Sequence, residues 1–305
     1  MNKRVFIDAK VGRIAIESNT LFFGENRLPL RLVDTLIIAG GIEMSASTPI
    51  ALSKAKIPVI FVGKNNRDFA LLTPLLPKNA DLKISQYEAL SQKLEIAKDI
   101  LKTKFITHKA SLKKHEIDFA LGIWVDRVES ATDLPSLLGI EGSFASLYFE
   151  RYFSLFKKPL TKGFRSKQPP LDPVNAMLSF VYTILYYDIA AKLVISGFEP
   201  SISYLHEPFR SHYALASDLE ETVRADANSF VAKLFKEQTL TSSDFSAQKG
   251  GVYLKNERRK ELWSPLKDFL TQTDKKIYAQ IALLRKKILK SQEDSSSKTQ
   301  NIESA

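Results

Sequence analysis

The first seventy-six residues alternate apolar and polar positions in short runs separated by turn residues, as β-strands with one exposed face do. Pro49, directly behind Ser47 and Thr48, marks the first turn of a short helix that is expected to end near Lys56. The pattern therefore predicts a small N-terminal β-rich domain over residues 1–76. The runs expected to form its strands cover residues 4–8, 13–17, 20–23, 34–39 and 59–62.

From about residue 82, apolar residues recur at spacings of three and four, which is the period of an amphipathic helix. This change predicts a second, all-helical domain over residues 83–290. The chain as a whole is therefore expected to be an α+β multidomain protein, with a small β-rich domain before a larger helical one. The helices are expected at about 82–112, 116–129, 137–156, 173–196, 213–236 and 263–290.

Two segments lie outside these predicted domains. Pro74 and Pro77 precede the change of period, so residues 77–82 are interpreted as a linker. Residues 291–305 are nearly all small, polar or charged, and they offer too little apolar surface to offset the entropy lost on ordering. The sequence predicts that this tail is disordered.

The charge balance indicates the kind of partner. Lys and Arg number 44 against 34 Asp and Glu, which gives a formal charge of +10. Such a balance favours a polyanion, either nucleic acid or an anionic membrane surface. The chain has no cysteine, which excludes disulfides, thiolate nucleophiles and Cys-ligated zinc or iron-sulfur sites.

The most apolar long segment, residues 174–198, is predicted to be a buried helix and not a membrane span. Asp188 and Lys192 interrupt it four residues apart, the spacing of an ion pair within a helix. The amino terminus acquires Asp8 before any long apolar run, unlike a secretory signal. We therefore expect a cytoplasmic protein without a membrane partner.

Glu141 is the carboxylate that is hardest to explain as a solvated charge. It lies within residues 137–149, where all of the remaining residues are apolar, small or aromatic. A buried carboxylate is costly unless it is neutralised, hydrogen-bonded or coordinated. Ala145, Tyr148 and Phe149 follow at helical spacing, so Glu141 is expected on an apolar helix face.

Further candidate ligands lie between residues 206 and 221. Pro208 disfavours helix at the residue before it, so His206 is expected in a loop or at a strand end. Asp218 and Glu221 are three apart and share one face of the next helix. One imidazole and two carboxylates can then converge, and such a mixed set suits Mg²⁺ or Mn²⁺ better than structural zinc.

Each candidate also has an ordinary structural explanation. Asp218 or Glu221 could be a solvated surface charge, or could pair with Arg224. A single histidine beside an apolar run is more often a hydrogen-bonded core or rim residue than a metal ligand. His108 and His115, on a Lys-rich helix, are interpreted as surface residues.

Basic residues in two loops suit contacts to a phosphate backbone. One loop is bounded by prolines near residue 169, and the other follows a Gly-Gly pair at residues 250–251. Cations near an acidic metal site would offset repulsion between its carboxylates and DNA, and would make binding fall steeply with salt. The predicted DNA-binding residues are Arg165, Lys167, Arg224, Lys255, Arg258 and Arg259.

Two polar residues are candidates for supporting roles. Tyr148 could position DNA, although buried packing explains it equally well. Asn175 is expected to support Glu141 through a hydrogen bond across the helices.

Four sequence blocks, in order, carry a family resemblance. They are residues 138–149, 171–182, 197–206 and 218–224. Their order resembles the CRISPR-associated adaptation integrases, the universal Cas protein numbered one, which inserts captured DNA fragments into a CRISPR array as new spacers. The resemblance covers the chain to about residue 275. His212 and Ala225 depart from the usual pattern, where many members have Arg and Pro, and this concerns local DNA contacts more than the metal site.

The resemblance implies that Glu141, His206 and Glu221 hold the metal, with Asp218 as an acidic support or alternative ligand. It implies a metal-dependent endonuclease and integrase, in which a free 3′-hydroxyl of the fragment attacks a phosphodiester of the repeat. It further implies double-stranded DNA, a homodimer and a small ferredoxin-like partner, the Cas protein numbered two, as partners. The N-terminal domain would make the dimer and partner contacts.

Two other functions remain open on the sequence. One is a structure-specific nuclease that cuts branched DNA without joining ends. The other is a noncatalytic basic scaffold that holds DNA, in which the acidic cluster is merely structural.

Overall fold

The computed structural model describes residues 3–63, 68–74, 79–207 and 212–303, with side chains to residue 290. A six-stranded sheet with one helix forms its N-terminal part, and seven further helices and a two-stranded hairpin follow. This arrangement confirms the α+β class, with a small β-rich domain before a larger helical one. The linker predicted at residues 77–82 lies partly outside the described residues, and helix already begins at Ala80.

The sheet has the strand order β3-β2-β1-β4-β5-β6. β1 pairs with β4 and β4 with β5 in parallel, whereas β1–β2, β2–β3 and β5–β6 are antiparallel. The strands are β1 (Lys3–Glu17), β2 (Thr20–Phe23), β3 (Asn26–Pro29), β4 (Val33–Met44), β5 (Val59–Val62) and β6 (Phe69–Leu72).

The central strand β1 joins two runs that the sequence predicts as separate strands. Its register with β4 shifts between Ala9 and Gly12, which is where the alternation of the sequence is interrupted. Gly40 on β4 faces this irregularity with φ +91°, and a Cβ there would come within 2.0 Å of the carbonyl oxygen of Ala9. Only glycine fits this close approach of two strands.

The helices follow the predicted order. Two of them, α5 and α6, begin with a proline in the first turn behind an aspartate, Asp133 or Asp172, that accepts a backbone N–H. The helices are α1 (Ser47–Lys54), α2 (Ala80–Glu88), α3 (Lys93–Lys113), α4 (Gly122–Ser130), α5 (Leu134–Phe153), α6 (Pro173–Ile195), α7 (Ala214–Lys236) and α8 (Asn256–Glu303).

The structure departs from the predicted elements in several places. The long helix expected at 82–112 is two α-helices joined by a 3₁₀ turn, and the short strands β3 and β6 were not predicted. A hairpin of β7 (Phe245–Gln248) and β8 (Gly251–Leu254) interrupts the region expected to be all-helical. The backbone of α8 continues to Glu303, whereas the sequence predicts a disordered tail from residue 291.

Buried apolar side chains form two clusters. The smaller one lies on one face of the sheet under α1 and includes Ile14, Leu36 and Leu52. The larger one fills the helical part and takes in Ile37 and Ile60 from the opposite face of the sheet. The helical part therefore packs on the face of the sheet opposite to α1, and this shared core joins the sheet to the helical part.

A buried ion-pair network also joins the two parts. Arg4 on β1 donates to Asp188 on α6 at 3.0 Å and to Asp274 on α8 at 2.6 Å. Lys192 contacts both carboxylates as well, which balances the charges. The predicted pair of Asp188 and Lys192 is confirmed, and it is part of a larger network.

Helix α6 meets the length and composition criteria of a membrane span, and two thirds of its most apolar window are buried within the protein. Its charged residues Asp188 and Lys192 are 1% and 3% exposed and are paired as described. The structure thus presents α6 as a core helix, as the sequence predicts.

Replacing Asp188 with Asn is expected to lower the free energy of unfolding by about 2–3 kcal/mol at neutral pH, because Arg4 and Lys192 then share only Asp274. Burial opposes ionisation of Asp188, but the charges of Arg4 and Lys192 outweigh it and lower its pKa. This stabilisation is therefore complete above pH ~4, the usual carboxyl range, and is lost as the pH falls through the lower folded-state pKa.

Urea denaturation at pH 7 and at several acidic pH values measures this effect. The difference between wild type and Asp188→Asn should shrink towards acid. Asp126→Asn, at an exposed position on α4, is the control and should differ by less than about 0.5 kcal/mol. A difference that is constant down to acid, or absent at pH 7, would contradict the assignment.

Candidate active site

Three of the candidate ligands converge between α3, α5, α7 and the loop before α7. The ammonium of Lys104 on α3 contacts Oε1 of Glu141 and lies 2.7 Å from Oε2 of Glu221. The two carboxylates therefore face each other across one nitrogen, although they are remote in sequence. Nε2 of His206 lies 4.0 Å from Oε1 of Glu221, which completes the group.

Asp218 is fully buried and holds His206 in place. Its Oδ2 accepts the backbone N–H groups of Tyr204, at 2.7 Å, and Leu205, at 3.0 Å. Its Oδ1 accepts the backbone N–H of His206 at 2.9 Å and lies 2.8 Å from Nδ1 of the ring. This carboxylate thus assigns a ring proton to Nδ1, and Nε2 faces Glu221.

The geometry separates the two acidic candidates on α7. The two oxygens of Asp218 accept from four donors. The carboxylate of Glu221 instead lies near His206 and shares Lys104 with Glu141. Asp218 is therefore placed to orient a ligand, and Glu221 is placed to be one. The sequence left this choice open.

Charges around the site set the protonation of its members. Burial opposes protonation of His206, but the hydrogen bond and charge of Asp218 and the charge of Glu221 outweigh burial and raise its pKa. Burial likewise opposes ionisation of Glu221, yet the charges of Arg224, Lys104 and His206 hold its pKa well below the usual range. The carboxylate of Glu221 is thus ionised at neutral pH and available to a cation.

Arg224 is the second cation of the site. It contacts Oε1 of Glu221, and it donates to Oε2 of Glu220 at 2.7 Å. Its guanidinium also lies over the ring of Tyr182, 4.9 Å from the centroid. The pairing of Glu221 with Arg224, one of the alternatives from the sequence, is therefore present. The guanidinium of Arg224 is paired with two carboxylates, and a phosphate would have to compete with them.

The donor set fits a hard divalent cation, although the side chains do not stand at ligand distances. Within the described residues, no three His, Asp or Glu side chains lie close enough to share a metal ion. Lys104 stands between Glu141 and Glu221, and Arg224 pairs with Glu221 as well. Among the residues that the structure describes, the buried Oε2 of Glu221 has no hydrogen-bond partner and lies 2.7 Å from Nζ of Lys104, so this oxygen has capacity for another cation.

An open cleft of about 770 Å³ gives access to the site. Lys104, Glu141 and Arg224 form part of its wall, together with residues of α5, α6 and the loop at 163–168. Of the predicted DNA-binding residues, Arg165 and Lys167 line this cleft. A backbone phosphate in this cleft would have cations beside it to offset repulsion from Glu141.

Asn175 organises the loop at 163–168 and does not support Glu141, contrary to the prediction. Its side-chain oxygen accepts from Arg165 at 2.9 Å and from the backbone N–H of Ser166 at 3.0 Å. Its amide nitrogen donates to the carbonyl of Phe164 and to Asp172. The first turn of α6 therefore fixes the loop that carries Arg165, because Asn175 is fully buried there.

Tyr148 is a packing residue and not a DNA contact. Its side chain is completely buried, and its hydroxyl hydrogen-bonds with Ser111 at 2.9 Å and with Asn228 at 3.0 Å. His108, predicted on the surface, is buried as well and packs edge-on against Tyr148. Burial and the charge of Lys104 lower the pKa of His108 to about 3, so it is neutral at physiological pH. His115 is partly buried.

The basic residues around 255–259, unlike Arg165 and Lys167, do not line the cleft. Arg259 is buried and pairs with Asp8 of β1 through two contacts of 2.8 Å, so it joins the sheet to α8 and is not available to DNA. Arg258 pairs with Asp244 and Glu261. Lys255 follows Leu254, which lines a recess of about 270 Å³ next to Lys167. Arg259 is therefore removed from the predicted DNA surface.

Lys104 is the site residue that the sequence analysis missed. It belongs to a Lys-rich helix whose lysines suggest a solvated surface. Its position one turn from Leu101 and His108, on the buried face of α3, is the signal that distinguishes it. A lysine on an apolar helix face requires a buried anion, and Glu141 and Glu221 are that partner.

Comparisons with known proteins identify relatives of this chain. The sequence model of the family described as CRISPR associated protein Cas1 matches residues 1–268. A relative from Thermodesulfovibrio yellowstonii, named CRISPR-associated endonuclease Cas1 1, is 33% identical over 296 residues, which cover 90% of this chain and 93% of the relative. A second, from Rhodospirillum rubrum, is 31% identical and covers 79% of this chain and 76% of its own.

Solved structures share the fold. A Cas1 protein from Thermotoga maritima superposes with a TM-score of 0.85 at 20% identity, over 94% of this chain and 97% of that one. A casposase bound to its integration product has a TM-score of 0.79 at 21% identity, over 88% and 82% of the two chains. The architecture of a sheet domain before a helical one is thus shared with these structures. This chain belongs to the CRISPR associated protein Cas1 family.

Proposed function

We propose that this protein is a divalent-metal-dependent DNA integrase and endonuclease of CRISPR adaptation, which inserts captured DNA fragments into the repeats of a CRISPR array. Glu141 and Glu221 meet at the ammonium of Lys104, and Nε2 of His206 lies 4.0 Å from Glu221, with Asp218 orienting the imidazole. This arrangement carries the proposal. Family membership supports it, as does the name endonuclease of the similar relatives.

The reaction is a transesterification. A free 3′-hydroxyl of the fragment attacks the phosphorus of a repeat phosphodiester, a new phosphodiester forms, and the former 3′-oxygen leaves with a proton. Hydrolysis follows the same course with water as the attacking group. Glu141, Nε2 of His206 and Glu221 would hold Mg²⁺ or Mn²⁺, and when bound, the ion would polarise a phosphoryl oxygen and stabilise the charge of the transition state.

The protein's own residues supply positioning and charge. Asp218 keeps the proton on Nδ1 of His206, so Nε2 stays a donor of electrons. Arg165 and Lys167, which line the cleft, would bind the phosphates that flank the reacting one. Burial and the charges of Arg224 and Arg165 lower the pKa of Lys167, and a bound phosphate would relieve this repulsion.

The partners follow from the family. Similar folds occur in a Cas6-RT-Cas1–Cas2 complex and in a Cas1–DNA complex, which supports double-stranded DNA and a small Cas2 protein as partners of this chain. We also propose a homodimer that meets this partner through the N-terminal sheet domain. The formal charge of +10 suits fragment and repeat DNA alike.

A strand-transfer assay tests the proposal. Purified protein, its Cas2 partner, a labelled fragment and repeat DNA are incubated with Mn²⁺, with Mg²⁺ or with a chelator. Joined product is expected with either metal and is expected to disappear with the chelator. Joining that persists after chelation would contradict a metal-dependent integrase.

Fragments with blocked 3′ ends separate the remaining functions. An integrase forms joined product with free ends and none with blocked ends. A structure-specific nuclease cuts branched DNA equally with both, and a noncatalytic scaffold shows DNA binding without either product.

A further inference from the structure

Lys104 occupies the centre of the candidate active site. Its side chain is 3% exposed, and its ammonium contacts Glu141 and lies 2.7 Å from Glu221. Carboxylates from two helices thus meet one positive charge in the interior, which is the arrangement that a shared cation requires. No other described lysine bridges two of the candidate ligands.

Without this charge the metal-free site would be unfavourable. Glu221 is buried and ionised, and Glu141 faces it. Two carboxylates that flank one nitrogen repel each other once the positive charge between them is removed. The remaining cation, Arg224, is already shared between Glu220 and Glu221 and does not reach Glu141 in any ion pair among the described residues.

Space is available for the ammonium to leave. Lys104 lines the open cleft of about 770 Å³. Its four methylene groups form a flexible stem, whereas the guanidinium of Arg224 is rigid and planar. A side chain that is buried in one state can therefore point into the cleft in another without movement of α3.

We propose that Lys104 holds the metal-free site together by taking the position of a divalent cation between Glu141 and Glu221, and that it withdraws into the cleft when the cation binds. Lys104 is a positioning residue in this scheme, and it competes with the metal for the same oxygens. This inference rests on the proposed metal site.

Replacement of Lys104 by Met tests the competition, because Met keeps the volume and removes the charge. Without metal, Lys104→Met should melt at a lower temperature than wild type, since the carboxylates are no longer neutralised. Its dissociation constant for Mn²⁺, measured by calorimetry, should fall by about tenfold or more, because one competing charge is gone. Mn²⁺ should therefore raise its melting temperature more than that of wild type.

Lys98→Met is the matched control. Lys98 is also buried on α3, but its ammonium contacts the carbonyl of Glu129 at 3.1 Å and the carboxylate of Glu95, away from the site. This variant should be destabilised with and without Mn²⁺ alike, with unchanged Mn²⁺ affinity. Tighter binding in both variants would show a general charge effect and would overturn the role of Lys104.

Amine labelling of the wild-type protein keeps the inference testable if Lys104→Met fails to fold. Acylation of each lysine is followed by mass spectrometry with and without Mn²⁺. Lys104 should react slowly in metal-free protein, because it is buried and paired, and faster with Mn²⁺, whereas Lys98 should not change. Equal or slower labelling of Lys104 with Mn²⁺ contradicts the withdrawal.

The two proposals fail in different ways. The metal-dependent function fails if strand transfer survives chelation. The role of Lys104 fails if wild type binds Mn²⁺ but Lys104→Met binds it no more tightly. Absence of Mn²⁺ binding in wild type and variant together contradicts both.

Discussion

Replacing Glu141 with Gln is expected to reduce strand transfer by about a thousandfold while DNA binding stays within about threefold of wild type. The substitution keeps the shape of the side chain and removes one of the negative charges that would hold the cation. The fold should survive, because Lys104 retains its 2.7 Å ion pair with Glu221. Initial rates of strand transfer at saturating Mn²⁺, with DNA binding by fluorescence anisotropy, measure the two effects.

Glu150→Gln is the matched control for this experiment. Glu150 is on the same helix, lines the same cleft and is exposed, but it lies more than two turns from Glu141. Its substitution should change the rate by less than about threefold, since an exposed charge is screened by solvent. A Glu141→Gln protein that joins DNA at the wild-type rate would remove Glu141 from the site.

Replacing Asp218 with Asn is expected to weaken Mn²⁺ binding by about a hundredfold. The amide of Asn can donate to Nδ1 of His206, which would move the ring proton to Nε2 and remove the lone pair from the metal side. The same change takes the acceptor from the backbone N–H of His206, which donates to the same Oδ1, so the free energy of unfolding should fall by about 2–3 kcal/mol.

Calorimetry with Mn²⁺ and urea denaturation measure these two effects separately. Nitrogen chemical shifts of the His206 ring report the tautomer, and the proton should move from Nδ1 to Nε2 in the variant. Asp226→Asn, on the same helix at a surface pair with Lys276, should resemble wild type in all three measurements. Direct ligation by Asp218 would instead leave the tautomer unchanged while Mn²⁺ binding is lost.

The structure explains why the site is stable before it binds anything. Glu141, Glu220 and Glu221 are opposed by Lys104 and Arg224, and His206 is paired with Asp218. Each buried anion therefore has a partner within contact distance, which is the condition for burying it. The same pairing means that metal binding has to replace existing contacts, so affinity depends on residues that are not ligands.

Much of the fold was predictable because the helices and strands repeat a clear period. The spacing of Asp218 and Glu221 placed both on one helix face, whereas Glu141, expected on a buried face, is a quarter exposed at the cleft. The expected buried helix at 174–198 is α6, with Asp188 and Lys192 paired within it. These are local relations, which follow from residues close in sequence.

Predictions about basic residues succeeded less well, since charge alone does not reveal burial. Arg259 lies in a basic segment of the kind that binds DNA, yet it pairs with Asp8, which is 251 positions earlier in the chain. Asn175 was expected to reach Glu141 and instead fixes the loop of Arg165. In both cases the partner is set by how distant segments pack, which a pattern of single residues does not contain.

The sequence by itself determined the order of a sheet domain and a helical domain, the place of Asp218 and Glu221 on one helix and the family to which the chain belongs, since each depends on local periodicity or on ordered motifs. Only the tertiary structure decided that Asp218 orients His206, that Lys104 stands between Glu141 and Glu221, and that Arg259 ties the sheet to α8. The physical reason is that hydrogen bonds and ion pairs act over a few ångströms, and only folding brings these remote side chains within that range.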